Sequence, residues 1–265
     1  MATIVSFHAH PDDESIQVGG TLAKAAKEGH RVVLVFATRG EHGEVVEGFL
    51  DDEEALGQRR EQECARSAEI LGAQRVEFLG YHDSGMIGTP ENDLPGAFWQ
   101  ADVEEAAERL AAILRDEQAD ILTAYDSDGG YGHPDHIQVH RVGLKATELA
   151  GTPRFYEATM NRDHLRRVMQ AAAASGAIPA DEVPDLTETS TFGRPESVIT
   201  TAVDVRDHLD AKRASMAAHA SQIPEDSFFL KLPDEAFAST FGWEWFIRHG
   251  VNADHRDDDL LDGLS

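Results

Sequence analysis

Two short stretches of this 265-residue chain concentrate groups that bind metals and move protons: His10-Pro11-Asp12-Asp13-Glu14 and Tyr131-Gly132-His133-Pro134-Asp135-His136. His10 and Asp13 are three residues apart, so a tight turn or a first helical turn puts both on one side. One imidazole from the second stretch would make three nitrogen or oxygen ligands. Three protein ligands, with a fourth position left to water, is the pattern of a catalytic rather than a structural zinc site. Asp12 would stay free as a base beside the metal. His133 and His136 are also three apart, so one can ligate while the other faces a substrate, and the spacing does not say which. A His-Pro-Asp cluster alone reads as a helix cap about as readily as a ligand set. Two clusters at predicted strand ends favour one shared site. His8, on the strand before His10, reads as a packed or hydrogen-bonded histidine, and Glu14 as a helix-turn carboxylate bonded to its neighbours. Cys64, the single cysteine, cannot form an internal disulfide and reads as a buried, inert thiol.

The elements that must position these groups alternate along the first 160 residues. Apolar, β-branched runs at Thr3–Ala9 and Arg31–Thr38 suit strands buried on both faces of a parallel sheet. Val76–Gly80, Ala119–Tyr125 and Phe155–Met160 follow as further strands. Helices are expected over Glu14–Glu28, Glu53–Leu71, Asp102–Gln118 and Pro134–Ala150, with Pro134 in a first turn and Gly29 and Gly72 closing two of them. The fold class is therefore α/β: a Rossmann-like, open, mostly parallel sheet with helices on both faces. Ligands of such sheets bind outside the carboxyl ends of the strands, where both clusters fall. Residues 1–165 read as this catalytic core and 166–250 as a smaller C-terminal α/β lobe packed on it. Within that lobe, Val198–Val205 suits a strand and Asp207–Ala220 a helix, while Trp243, Trp245 and Phe246 read as core. The acidic segment 251–265 is expected to fray.

The chain has 23 Lys+Arg against 49 Asp+Glu, a formal charge of −26. That balance argues against nucleic acid as a partner, since phosphate binding needs clustered Lys and Arg. No basic, apolar leader precedes the first strand and no run of about 18 apolar residues occurs, so neither a signal peptide nor a membrane span is expected. A cytoplasmic location follows as an expectation, and a homo-oligomer is compatible with the sequence.

The motifs resemble the LmbE-like family, also called the PIG-L family of N-acetylglucosaminyl de-N-acetylases. The resemblance rests on Ala9–Glu14 (AHPDDE), the loop Thr38-Arg39-Gly40-Glu41, Arg60 and Glu63 with Leu71-Gly72, Asp83-Ser84-Gly85, and Gly130–His136 (GYGHPDH). Lys212 with His219-Ala220-Ser221-Gln222 is similar to the lysine and H-x-S-Q elements of an actinobacterial branch. Similarity is strong over residues 3–160 and weaker over 196–247; residues 161–195 match nothing. The resemblance implies His10, Asp13 and His136 as zinc ligands, with Fe(II) an alternative ion for the same donors. It implies Asp12 as general base, His133 as the protonated partner of oxyanion and leaving amine (with Asp12 returning its proton as the rival donor to that amine), Tyr131 as an oxyanion donor, and Asp135 as the group that orients an imidazole. Arg60 and Asp83 would meet the hydroxyls of a sugar-like substrate, although Arg60 without the resemblance reads as part of a solvated, charged helix face. Glu41, from its place in the loop, would line the mouth or simply be solvated. The implied function is zinc-dependent removal of an N-acetyl group from an amino sugar or its conjugate by activated water. The rivals are an amidase acting on a mycothiol-type conjugate or another acylated natural product and, from another class, a non-catalytic metal-dependent binding protein.

Overall fold

Thr3–His8 (β1) and Arg31–Phe36 (β2) are buried along nearly their whole length because both their faces are covered, and they pair in parallel. The computed structural model describes residues 1–46, 48–174, 176, 192–252 and 254–264. Between the two strands runs Asp13–Lys27 (α1), and after them Leu56–Leu71 (α2), Arg75–Phe78 (β3), Val103–Asp116 (α3) and Ile121–Tyr125 (β4). A glycine-rich turn, Gly129–Gly132 (α4), leads into Pro134–Ala150 (α5) and Arg154–Thr159 (β5). The chain then forms Arg162–Ala174 (α6), Thr201–Asp204 (β6), Leu209–Ala218 (α7), Phe228–Lys231 (α8), Asp234–Phe241 (α9) and Trp243–Arg248 (β7).

One seven-stranded sheet results, in the order β3-β2-β1-β4-β5-β7-β6. Its first five strands are parallel, whereas β7 pairs antiparallel with both β5 and β6. Alternate side chains feed two cores. Val5, Phe7, Val33 and Val35 pack with Leu110 of α3 and Val139 of α5 on one face. Ile4, Leu34 and Phe36 pack with Leu22 of α1 and Leu71 of α2 on the other. The strand order reverses between β1 and β4, and the crevice outside the carboxyl ends of those strands is where this architecture takes a ligand.

The C-terminal part differs from the expected smaller lobe. Its strands β6 and β7 extend the same sheet, and Val203, Val205 and Phe246 share a core with Ile4 and Leu34. Within the WEWFIR run of β7, Phe246 is fully buried, while Trp243 and Trp245 are partly exposed and stack on each other. The described part of 251–265 is tied down rather than frayed. Leu260 is fully buried, its carbonyl accepts from Arg154 and Tyr156, and Asp257 bridges to Thr201. Residues 177–191, within the 161–195 stretch that matched nothing, lie outside the described residues. No described helix is long and apolar enough to cross a membrane.

Candidate active site

At the end of β1 the chain turns through Asp12, whose φ of 118° is unusual for a residue with a side chain. Four hydrogen bonds hold it there. Its N–H donates to Glu14 Oε2 (2.9 Å), and its carbonyl accepts from Ser15 and Ile16 at the start of α1 (3.0 and 3.1 Å). Its carboxylate accepts from Arg60 Nη2 (3.2 Å). Asp13, next along, faces another way: Oδ2 accepts from the His10 N–H (3.0 Å) and lies 3.6 Å from His10 Nδ1, while Oδ1 lies 3.5 Å from His136 Nε2.

The second cluster follows β4. His133 caps α5, its Nδ1 accepting from the Asp135 N–H (3.1 Å). An amide can only donate, so the neutral His133 ring carries its hydrogen on Nε2. His136 is opposite. Its Nδ1 lies 3.1 Å from the Gly129 carbonyl, which can only accept, so Nδ1 carries the hydrogen and Nε2 keeps a lone pair. That Nε2 is buried and without a hydrogen-bond partner. Tyr125 stacks flat on the His136 ring, with centroids 4.3 Å apart, and its hydroxyl accepts from the Ala9 N–H (3.1 Å). Gly129 must be glycine here, because its φ is +66° and a Cβ would fall 2.7 Å from His136 Cβ. Asp135 is fully buried, accepts from the Ser84 N–H (2.9 Å) and hydroxyl, and takes a hydrogen bond from His10 Nε2 (3.2 Å). His10 Nδ1 is thereby left towards Asp13.

The two turns therefore meet. His10, His133 and His136 bring ligand atoms within 4.8 Å of one another, as do His10, Asp83 and Asp135. Burial pushes the Asp12 carboxyl up to about 6 against the pull of Arg60. Burial, with the imidazoles of His10 and His136, pushes His133 down to about 3. Burial opposes ionisation of Asp13 as well, but His136 and His10 outweigh it and hold its carboxyl well below the usual range. The Tyr131 hydroxyl is pushed up by burial and by Asp13.

The remaining expected residues lie around this centre. Tyr131 is half exposed, its ring edge-on to His136 at 5.0 Å. Arg60 is no solvated helix face: it is buried, and its guanidinium also donates to the Pro11 and Gly40 carbonyls. Asp83 is buried, 3.4 Å from His10 Nε2, and accepts from the N–H groups of Gly85 (2.8 Å) and His42 (3.1 Å). Glu41 accepts from the Asp83 N–H (3.1 Å), so the two loops lock together beside the site. His8 packs against Tyr125 and Phe36 and bonds Ser6 Oγ (2.7 Å). Cys64 is a buried free thiol whose pKa burial pushes up.

Sequence reasoning missed Ser84, Tyr125 and a buried network behind Asp12. There Glu14 Oε1 accepts from Ser15 (2.9 Å), Ser67 and His219 (2.6 Å), and Ser215 joins the serines. The forewarnings were the H-x-S-Q element and the reading of Glu14 as a carboxylate bonded to its neighbours. Ser67 and Ser215 look in the sequence like ordinary polar helix positions.

The model of the GlcNAc-PI de-N-acetylase (PIG-L) family matches residues 5–147. The chain belongs to the PIG-L family. This PIG-L protein is 40% identical to the 1D-myo-inositol 2-acetamido-2-deoxy-alpha-D-glucopyranoside deacetylase of Acidothermus cellulolyticus, over 99% of this chain and 95% of that one. Among solved structures it resembles the N,N'-diacetylchitobiose deacetylase of Pyrococcus horikoshii, at 25% identity and a TM-score of 0.54, over 84% of this chain and 72% of that one. It also resembles the 4-carboxy-2-hydroxymuconate hydratase of Pseudomonas putida, at 20% identity and a TM-score of 0.63, over 95% and 98% of the two chains. That second likeness shows the α/β fold alone. With PIG-L membership and deacetylase relatives, the expectation of an enzyme that hydrolyses the N-acetyl amide of an amino sugar stands.

Proposed function

We propose that this PIG-L protein removes the acetyl group from N-acetylglucosamine α-linked to inositol, with a divalent cation held by His10, Asp13 and His136. The observation that carries the substrate is the near-full-length identity to a deacetylase named for it, C-terminal third included. The donor set suits a cation. His136 offers a buried, unpartnered Nε2, His10 directs Nδ1 at Asp13 while Asp135 holds its Nε2–H, and the Asp13 carboxylate lies between the two imidazoles. A carboxylate behind a ligating imidazole fixes ring orientation and raises basicity. Zinc is our assignment and Fe(II) the alternative that the same donors accept. Such an ion would acidify water and polarise the amide carbonyl.

The protein's own groups divide the rest. Asp12, largely ionised at neutral pH and gripped by Arg60, takes a proton from the attacking water. The neutral His133, with its hydrogen on Nε2, and the Tyr131 hydroxyl donate to the carbonyl oxygen as it gains charge. The amide C–N bond then breaks, and the amine leaves with a proton. Our expectation from sequence gave that proton to an imidazolium at His133. Burial and the neighbouring imidazoles push the His133 ring towards its neutral form, which favours the rival, Asp12 returning its proton. Asp83 and Glu41, locked together at the edge of the site, are our choice for substrate hydroxyls, with Arg60 behind them. A cytoplasmic location belongs to the same reading.

The test follows the free glucosaminyl amine released from a panel of N-acylglucosaminyl compounds, with the inositol glycoside beside free N-acetylglucosamine, diacetylchitobiose and a cysteinylated, mycothiol-type amide. Preference for the inositol glycoside by kcat/KM supports the assignment, and preference for the mycothiol-type amide overturns it.

A further inference from the structure

Glu14 is fully buried, and its two oxygens do different things. Oε2 accepts the N–H of Asp12 (2.9 Å), while Oε1 accepts from the Ser15 hydroxyl, the Ser67 hydroxyl and His219 Nε2 (2.6 Å). His219 is itself fully buried, 205 residues further along the chain, just beyond the end of α7. That helix is clamped to α1 by Lys212, whose Nζ donates to the Ile16 carbonyl (2.8 Å) and to Glu244 (2.6 Å). The C-terminal part of the chain thus delivers one imidazole to the back of the turn that carries Asp12.

Asp12 needs such support. Its φ of 118° is a conformation that a residue with a Cβ keeps only when its surroundings over-determine it. A charged acceptor on its N–H gives a stronger bond than a neutral one would. A buried carboxylate, in turn, is tolerated only when paired and fully hydrogen-bonded. Glu14 meets both conditions through His219 and the two serines, and Arg60 holds the other end of Asp12 by its carboxylate.

We propose that His219 is a positioning residue for the reaction: by holding Glu14 it fixes the backbone of Asp12 and so aims the Asp12 carboxylate. This rests on Asp12 being the base, as proposed above.

The experiment compares wild type with His219→Ala, His219→Gln and Ser67→Ala, each loaded with metal, for kcat, KM, bound metal and thermal unfolding. We expect His219→Ala to lower kcat about tenfold or more, since small misplacements of a reacting group have effects of that order. KM and metal content should stay within about twofold of wild type. Glutamine can donate to the same oxygen, so His219→Gln should recover most of kcat. Ser67→Ala, which removes another donor to that oxygen, should fall in between, and it carries the test if His219→Ala does not fold. Wild-type kcat in His219→Ala and Ser67→Ala would overturn the inference. So would a loss of activity that only follows lost folded protein or lost metal and that glutamine does not restore. A wild-type enzyme inactive on the whole substrate panel would instead refute the proposed function, which keeps the two failures apart.

Discussion

His133 and His136 open the same helix three residues apart, yet they carry their hydrogens on opposite nitrogens. The Asp135 N–H occupies Nδ1 of His133, and the Gly129 carbonyl occupies Nδ1 of His136. Only His136 therefore turns a free Nε2 lone pair towards Asp13, while His133 presents an N–H. We propose that what each ring's other nitrogen touches decides between the two candidates that the spacing left for one ligand position. His136→Ala should purify with little bound metal. His133→Ala should keep its metal and lose about 10²-fold in kcat, the size of effect seen when one oxyanion donor is removed. Elemental analysis beside acetate release checks both, and full metal in His136→Ala would contradict the assignment.

Asp12→Asn removes the base while preserving shape. Turnover should fall by at least about 10²-fold with metal content unchanged. Near-normal turnover would refute the role given to Asp12.

Gly129→Ala should be damaging although the new side chain is a single methyl. Its φ of +66° disfavours any Cβ, and the methyl would strike His136 and the amide of Ile137. The expected outcome is weaker metal binding at unchanged helix content, read by metal titration and circular dichroism. Wild-type affinity would show that the contact between Gly129 and His136 does not set the ligand.

Burial pushes His8 down to about 4 in the folded state, against roughly 6.5 when unfolded. Between those values the unfolded chain binds the extra proton, so stability from His8 is complete above about pH 6.5 and is lost as pH falls towards about 4. The slope is at most about 1.4 kcal/mol per pH unit. His8→Gln should unfold in denaturant with a weaker loss of stability across that window than wild type. Equal slopes would show that His8 does not titrate between the states.

Much of this was legible in the sequence because the chemistry lies where the chain is most local. His10 to Asp13 and His133 to His136 each span one turn at a strand end, and the apolar runs of β1, β2 and β4 locate those ends. Strand β7 was not read, because in WEWFIR aromatic bulk hides the alternation and its pairing with β5 depends on contacts about 90 residues away. Arg60 was harder to read. Its charged helix looks solvated until Pro11 and Gly40 fold over it. His219 could not be placed at all without the packing of α7 on α1, since nothing near it in sequence points to Glu14.

The most direct test strips the purified protein of metal and restores one equivalent of Zn2+ or Fe2+ while acetate release from the inositol glycoside is followed. Activity should vanish on stripping and return with a single ion per chain. His136→Ala should fail to recover under the same titration. A stripped protein that hydrolyses at the original rate would contradict the claim that the turns at His10 and His136 share one catalytic cation.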